Sequence, residues 1–192
     1  MADASFSAPT GPRTPTDGQA MGEALIPSIE ASQNLDREDR RMPLSIQEIS
    51  DRFEIQDLIV AYCYAVDDRD FDALDEVFTP DAVIDYSEMV GVKGGPAEIK
   101  KFLVEGLAPI SAFQHAVSTT QYRINGDHAE TRTVCNNPMV AAGPDGVEQT
   151  FFFGLWYIHE FVRTPKGWRM SKLYERKCYN HNLPDWVKDR TS

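Results

Sequence analysis

Residues 55–67 read IQDLIVAYCYAVD, a strongly apolar run that ends in two tyrosines and an aspartate. Upstream, Ser45 and Glu48 have the Ser-x-x-Glu spacing of a capping box, and Ile46, Ile49, Phe53, Ile55, Leu58, Ile59, Tyr62 and Val66 follow at helical spacing. The pattern predicts one long amphipathic helix that opens at Ser45 and carries polar groups at its far end. A carboxylate or phenol buried there without a partner is costly, so another segment should meet it. His115, in FQHAVSTTQYRINGDHAE (113–130), is the partner this reading favours.

Working outward, FDALDEVF (71–78) reads as a second, shorter helix stopped by Thr79-Pro80, and DAVIDYS (81–87) as a strand. GVKGGP (91–96) reads as a glycine-rich loop and PAEIKKFLVEGL (96–107) as a third helix. The glycines match neither a GK[ST] phosphate loop nor a GxGxxG turn after a strand, so they are turn residues. From Phe113 the chain becomes strands. His115–Ile124 and His128–Ala142 flank the hairpin signal Asn125-Gly126-Asp127, the aromatic run VEQTFFFGLWYIHEFVR (147–163) follows, and Pro165-Lys166-Gly167 turns into GWRMSKLYERKCY (167–179). Three helices followed by a four-stranded meander define an α+β domain, whose twisted sheet would wrap the long helix and enclose a pocket. The expected division is an N-terminal extension over 1–43, rich in Pro, Gly, Ser, Thr and charge, a domain over 44–180, and a C-terminal tail over 181–192. The segment ALIPSIEA (24–31) leaves open an arm that packs on another subunit.

The chain has 192 residues, with 42% hydrophobic and 10% aromatic content, enough for one domain with a real core. A formal net charge of −11 argues against nucleic acid and anionic membrane as partners, since both require clustered Lys and Arg. No apolar run is long enough to span a membrane and no secretory pattern opens the chain, so a cytoplasmic location is expected. Cys63, Cys135 and Cys178 lack C-x-x-C spacing and are read as buried small hydrophobes; His115, His128, His159 and His181 lack metal-ligand spacing. No metal and no cofactor is called for.

The phrases IQDLIVAYCYAVDDRDFDALDEVFTPDAVIDYS (55–87), INGDHAE (124–130) and GWRMSKL (167–173), with the order of the elements, resemble the SnoaL-like branch of the nuclear transport factor 2-like superfamily, over Ile46 to Tyr179. The resemblance implies a cone-shaped barrel in which a strongly twisted, mostly antiparallel sheet wraps a long N-terminal helix, with two further helices. It is strongest toward cofactor-free lyases: scytalone dehydratase, the bile-acid 7α-dehydratases and the lindane dehydrochlorinase. These place an Asp at the end of the first long helix and a His at the start of a following strand, positions taken here by Asp67 and His115. The helix tyrosine of the dehydratases falls on Tyr62, and the strand acid of the bile-acid enzymes on Asn137, where a charge is replaced by an amide. Relatives of this fold in lignin-degrading bacteria release formaldehyde from diaryl substrates, another elimination.

Read without the family, a histidine whose second nitrogen meets a carboxylate is a general base near neutral pH. A surface Asp at a helix end with a structural strand histidine is the other reading of Asp67 and His115. Tyr62 lies on the apolar stripe; Asp67 is about 140° round from it on an ideal helix, which requires the helix to end or bend there. Tyr64 lies on another face and ranks behind Tyr62. On the strands, Asn136 and Asn137 are not separable by parity, because Pro138 signals an edge or bulge. In FFFGLWYIHEF (151–161), Phe152, Trp156 and Ile158 share one face and Phe151, Phe153, Tyr157 and His159 the other. One face should line the pocket, with Trp156 a candidate substrate contact, and the other should meet a second subunit, so a homo-oligomer, dimer or trimer, is expected. Tyr174, Arg176 and Lys177 lie where a cation, Arg176 first, would close the pocket; an exposed basic strand end is the other reading. The expected activity is a cofactor-independent lyase acting on a small hydrophobic cyclic or aromatic alcohol: His115 and Asp67 as base, Tyr62 as donor, and Asn137, Arg176, Trp156 and Tyr64 as substrate contacts. An isomerase or cyclase using the same base, and a non-catalytic small-molecule-binding module, are the alternatives.

Overall fold

A computed structural model describes residues 43–191. The extension expected over 1–43 falls outside them except for Pro43. Helix α1 (Ile46–Asp67) opens as the sequence requires: the Ser45 hydroxyl accepts from the Glu48 N–H at 3.1 Å and the Glu48 carboxylate accepts from the Ser45 N–H at 2.9 Å. Its far end is closed by Arg69, which adopts a left-handed conformation (φ 59°). The Arg69 guanidinium donates to the carbonyls of Leu107 and Ile110, at 2.9 and 2.6 Å, and lies over the Phe113 ring. Those contacts fix the C-terminus of α1 against the segments that carry His115.

A 3-10 turn (Phe71–Glu76) stands where a short α-helix is expected; β1 (Phe78–Tyr86) follows, then α2 (Ser87–Val90), β2 (Val92–Gly94) and α3 (Pro96–Leu107). The run read as a glycine-rich loop thus contains a short strand, paired antiparallel to β1. The remaining strands are β3 (Ile110–Phe113), β4 (Ala116–Asn125), β5 (His128–Ala142), β6 (Glu148–Thr164) and β7 (Gly167–His181). The predicted hairpin joins β4 to β5 through Gly126, whose φ of 59° suits a residue without a side chain, and Asp127.

The seven strands form one sheet in the order β2-β1-β7-β6-β5-β3, and β4 also pairs with β5. Every pairing is antiparallel except β1 with β7. The β4–β5–β6–β7 meander is the expected one, while the parallel return of β1 and the short β3 add what the hydrophobic pattern does not reveal. The sheet is the curled, mostly antiparallel sheet of the cone fold, closed on its inner side by α1 and α3. Phe151, Phe153, Leu155, Tyr157, His159 and Phe161 point inward from β6 and are buried, together with Ile55, Ile59, Tyr62 and Val66 of α1. The residues expected as a tail instead form helix α4 (Asp185–Thr191), and Leu183 and Val187 are buried in the core. Cys63 and Cys135 are buried as expected; Cys178 is exposed.

His159 is fully buried, its Nδ1 2.8 Å from the Thr131 hydroxyl, and burial pulls its pKa from 6.5 to about 3. The imidazole is therefore neutral in the fold, whereas the unfolded chain takes up a proton below about 6.5. Stability should fall as pH drops from about 6.5 toward 3, at up to about 1.4 kcal/mol per pH unit from this group. Urea unfolding midpoints between pH 7.5 and 4.5 should decline more steeply in the wild type than in His159→Gln; equal slopes would show that His159 does not carry the effect.

Candidate active site

Asp67 is the last residue of α1, and His115 stands in the short gap between β3 and β4. The flanking pairs, Phe113 with Met139 and Ala116 with Asn136, place His115 opposite Asn137 of β5. Pro138 offers no N–H to this edge, and its carbonyl accepts from the Gln114 N–H at 3.2 Å. Along an edge strand alternate N–H groups point away from the sheet, and the one belonging to His115 is taken by Asp67, at 2.9 Å to Oδ2 and 3.2 Å to Oδ1. The ring completes the contact, with Nδ1 2.6 Å from Asp67 Oδ1.

An ionised carboxylate only accepts, so Nδ1 carries the hydrogen and Nε2 presents its lone pair. Nε2 receives the Asn137 amide Nδ2–H at 3.0 Å. That leaves Asn137 Oδ1 buried with no partner among the described residues. Asn137 is 6% exposed, whereas Asn136 faces outward and accepts from the Tyr179 hydroxyl at 2.7 Å. The choice between the two asparagines, which parity left open, is thereby made: Asn137 faces the pocket.

The pocket lies on the inner side of the sheet and holds about 140 Å³, close to the volume of an engineered apolar cavity that accepts benzene. Val66, Leu107, Met139, Phe151 and Leu155 are among its apolar walls, and α4 contributes Trp186 and Val187. His115, Asn137, Tyr62, Tyr86 and Glu175 supply the polar groups. Tyr62 Oη lies 2.7 Å from Tyr86 Oη. One phenol must donate to the other, which leaves the second hydroxyl hydrogen free for a third partner. Burial, and after it the neighbouring Tyr86 and Glu175, pushes the Tyr62 hydroxyl well above its ordinary value; burial and Glu175 do the same to Tyr86. Both therefore stay protonated as donors. The 140° separation of Tyr62 and Asp67 requires no bend, because Asp67 stands behind His115 and does not line the pocket.

Three expected substrate contacts lie elsewhere. Tyr64 points outward from α1, 64% exposed, two residues and roughly 200° round from Tyr62. Trp156 is on the outer face of β6, between the guanidinium groups of Arg132 (4.6 Å from its ring centre) and Arg176 (5.0 Å). Arg176 is thus outside as well. The physical reason is a bulge. Phe161 pairs with Met170 but Glu160 with Lys172, so Ser171 is extra and the inward parity of β7 switches from Trp168 and Met170 to Leu173 and Glu175. Tyr174 donates to the Glu88 carboxylate instead of entering the pocket.

Two of the five polar pocket residues, Tyr86 and Glu175, escape a reading by motif. Tyr86 shares the inward parity of Ala82 and Ile84 on β1, and that alternation is its only sequence signal. Glu175 sits two residues beyond the buried Leu173, a parity visible only once the bulge is known.

A curled sheet over a long helix, enclosing an apolar pocket with a His–Asp pair and a tyrosine pair, defines an α+β pocket domain of the nuclear transport factor 2-like type. The chain matches the SnoaL-like domain over residues 47–174, and it belongs to that family. An uncharacterised protein of Mycobacterium tuberculosis, Rv2910c, is 48% identical over 141 residues, covering 73% of this chain and 94% of that one. A solved structure from Novosphingobium aromaticivorans, provisionally named an aromatic ring hydroxylase, is 31% identical with a TM-score of 0.62, covering 72% of this chain and 97% of that one. The hexachlorocyclohexane dehydrochlorinase LinA-type3 of Novosphingobium barchaimii LL02 has a TM-score of 0.60 at 20% identity, over 72% of this chain and 93% of its own, a likeness of fold. Among the described residues, no helix is long and apolar enough to cross a membrane.

Proposed function

We propose that this protein is a cofactor-independent lyase that eliminates water, or a related small group such as formaldehyde, from a small hydrophobic cyclic or aromatic alcohol. The observation that carries the reading is the Asp67–His115–Asn137 chain at a benzene-sized apolar pocket. Asp67 holds His115 by both its backbone N–H and its Nδ1–H, which leaves Nε2, beside Asn137 at the cavity wall, as the acceptor nitrogen. Nε2 is the base that removes a proton from the carbon next to the leaving group. Nε2 accepts from the Asn137 amide at 3.0 Å; a bound substrate takes that place, and Asn137 Oδ1, without a partner among the described residues, accepts a substrate hydroxyl. The free hydrogen of the Tyr62–Tyr86 pair can be donated to an oxygen that gains negative charge as the bond breaks. The dehydrochlorinase likeness supports an elimination on this fold, since that protein is named for one.

Incubation with a panel of uncharged cyclic and aromatic alcohols, with products followed by mass spectrometry, tests the reading. A product lighter by water or formaldehyde is expected. A product of unchanged mass would replace the lyase by an isomerase with the same base, and tight binding without any product would favour a binding module.

A further inference from the structure

Glu175 is a carboxyl group that the His–Asp chemistry leaves unused. It projects from β7 beside Tyr157, its cross-strand partner, onto the inner face of the sheet, and lines the pocket. It is half-buried, and no hydrogen bond or ion pair reaches its carboxylate from a described residue. Tyr62 of α1, Tyr86 of β1, Cys135 of β5 and Tyr157 of β6 are the titratable groups that feel its charge, and His115 lines the same cavity. No lysine or arginine among the described residues lines it. An ionised carboxylate in such surroundings would have no counter-charge and no donor bonded to it.

Resting on the lyase reading above, we propose that Glu175 is the pocket's general acid: a neutral carboxylic acid that hydrogen-bonds the departing oxygen of an uncharged substrate and protonates it as it leaves. Burial pushes this carboxyl from 4.5 up to about 8, so it holds its proton at neutral pH. The step balances. Nε2 of His115 takes the proton from carbon, the C–H electron pair becomes the new C=C bond, and the C–O pair leaves with oxygen. The Glu175 O–H breaks as the new O–H of water forms. The enzyme is left with an imidazolium and a carboxylate, and it resets when the proton passes from one to the other, directly or through the product water. The same arrangement selects substrate: a carboxylate-bearing compound would meet a wall with no cation and a glutamate whose proton it would have to share. The substrate class is accordingly uncharged.

Carbon-13 NMR of the full chain labelled at glutamate carboxyls tests the protonation without any substrate. One resonance, absent from Glu175→Gln, should titrate near pH 8; a midpoint below pH 5 would overturn the proposal. With substrate, kcat/KM should fall on the alkaline side with a midpoint near 8, and Glu175→Gln should remove that limb and lower kcat by about a hundredfold or more. An unchanged limb and rate in Glu175→Gln would also overturn it. Loss of the base reading has a different signature, full activity in His115→Gln, so the two failures are distinguishable.

Discussion

His115→Gln is expected to lower kcat by at least about a hundredfold on whatever substrate the pocket turns over, because a positioned general base contributes a factor of ~10² to 10⁴. Glutamine keeps a hydrogen-bonding side chain on the same strand position but cannot take a proton near pH 7. The backbone N–H at residue 115 still reaches Asp67, so the contact between α1 and the strand gap survives. Unaltered far-ultraviolet circular dichroism with a hundredfold loss would place the effect in chemistry. A rate within a few fold of the wild type would sink the dyad. Asp67→Asn makes a useful companion. Its single carbonyl oxygen would have to accept from both the backbone N–H and Nδ1–H, or its amide would force the other imidazole tautomer and turn Nε2 into a donor. Either way kcat should fall with the far-ultraviolet circular dichroism unchanged, which a purely structural role would not produce.

The parts of this site that could be read from sequence were those written in local chemistry. The capping box at Ser45 and the apolar stripe through Tyr62 fix where α1 begins and which face it buries, while its end at Asp67 is set by the left-handed Arg69 and that residue's contacts to Leu107 and Ile110. Pro96 to Leu107 form a helix with the expected bounds because proline at the first turn and a three-four apolar spacing act within the segment itself. What escaped is set between segments. β3 is four residues long, ISAF, too short for a periodicity to register, yet it places Gln114 and His115 at the break in the edge. The inward side of β7 depends on one extra residue at Ser171, which no composition signals; without it Arg176 points inward, with it Glu175 does. A cation and an unpartnered acid at one pocket wall imply opposite substrate preferences, so a single bulged residue decides the chemistry.

Asp51 carries the largest expected effect on stability. It lies on α1, 3% exposed, and its Oδ1 accepts from Arg163 Nη2 at 2.7 Å, Gln47 Nε2 at 3.0 Å and Trp168 Nε1 at 3.1 Å. One carboxylate therefore ties the first half of the helix to the end of β6 and the start of β7. Asp51→Ala leaves the Trp168 N–H buried with no acceptor, a cost of about 1–3 kcal/mol. It also removes the partner of Arg163, but that guanidinium is 28% exposed and keeps Asp127 at 3.0 Å, so the stranded charge costs less than in a fully buried pair. About 3 kcal/mol in total is expected, read as a fall in the urea midpoint at pH 7. A loss under about 1 kcal/mol would mean that water replaces the carboxylate at Trp168. Asp51→Asn, which keeps an acceptor, should cost less. The pH dependence has a fixed sign. Burial raises this carboxyl, but the hydrogen bonds from Arg163, Trp168 and Gln47 and the Arg163 charge outweigh it, so its pKa lies below 3.8. The stabilisation is complete above 3.8 and is lost as pH falls through the folded value, a window that opens inside the lower end of the one in which His159 acts. Stability should therefore begin to fall below about 6.5 through His159, a part that His159→Gln removes, and fall further below about 3.8 through Asp51, a part that Asp51→Asn removes.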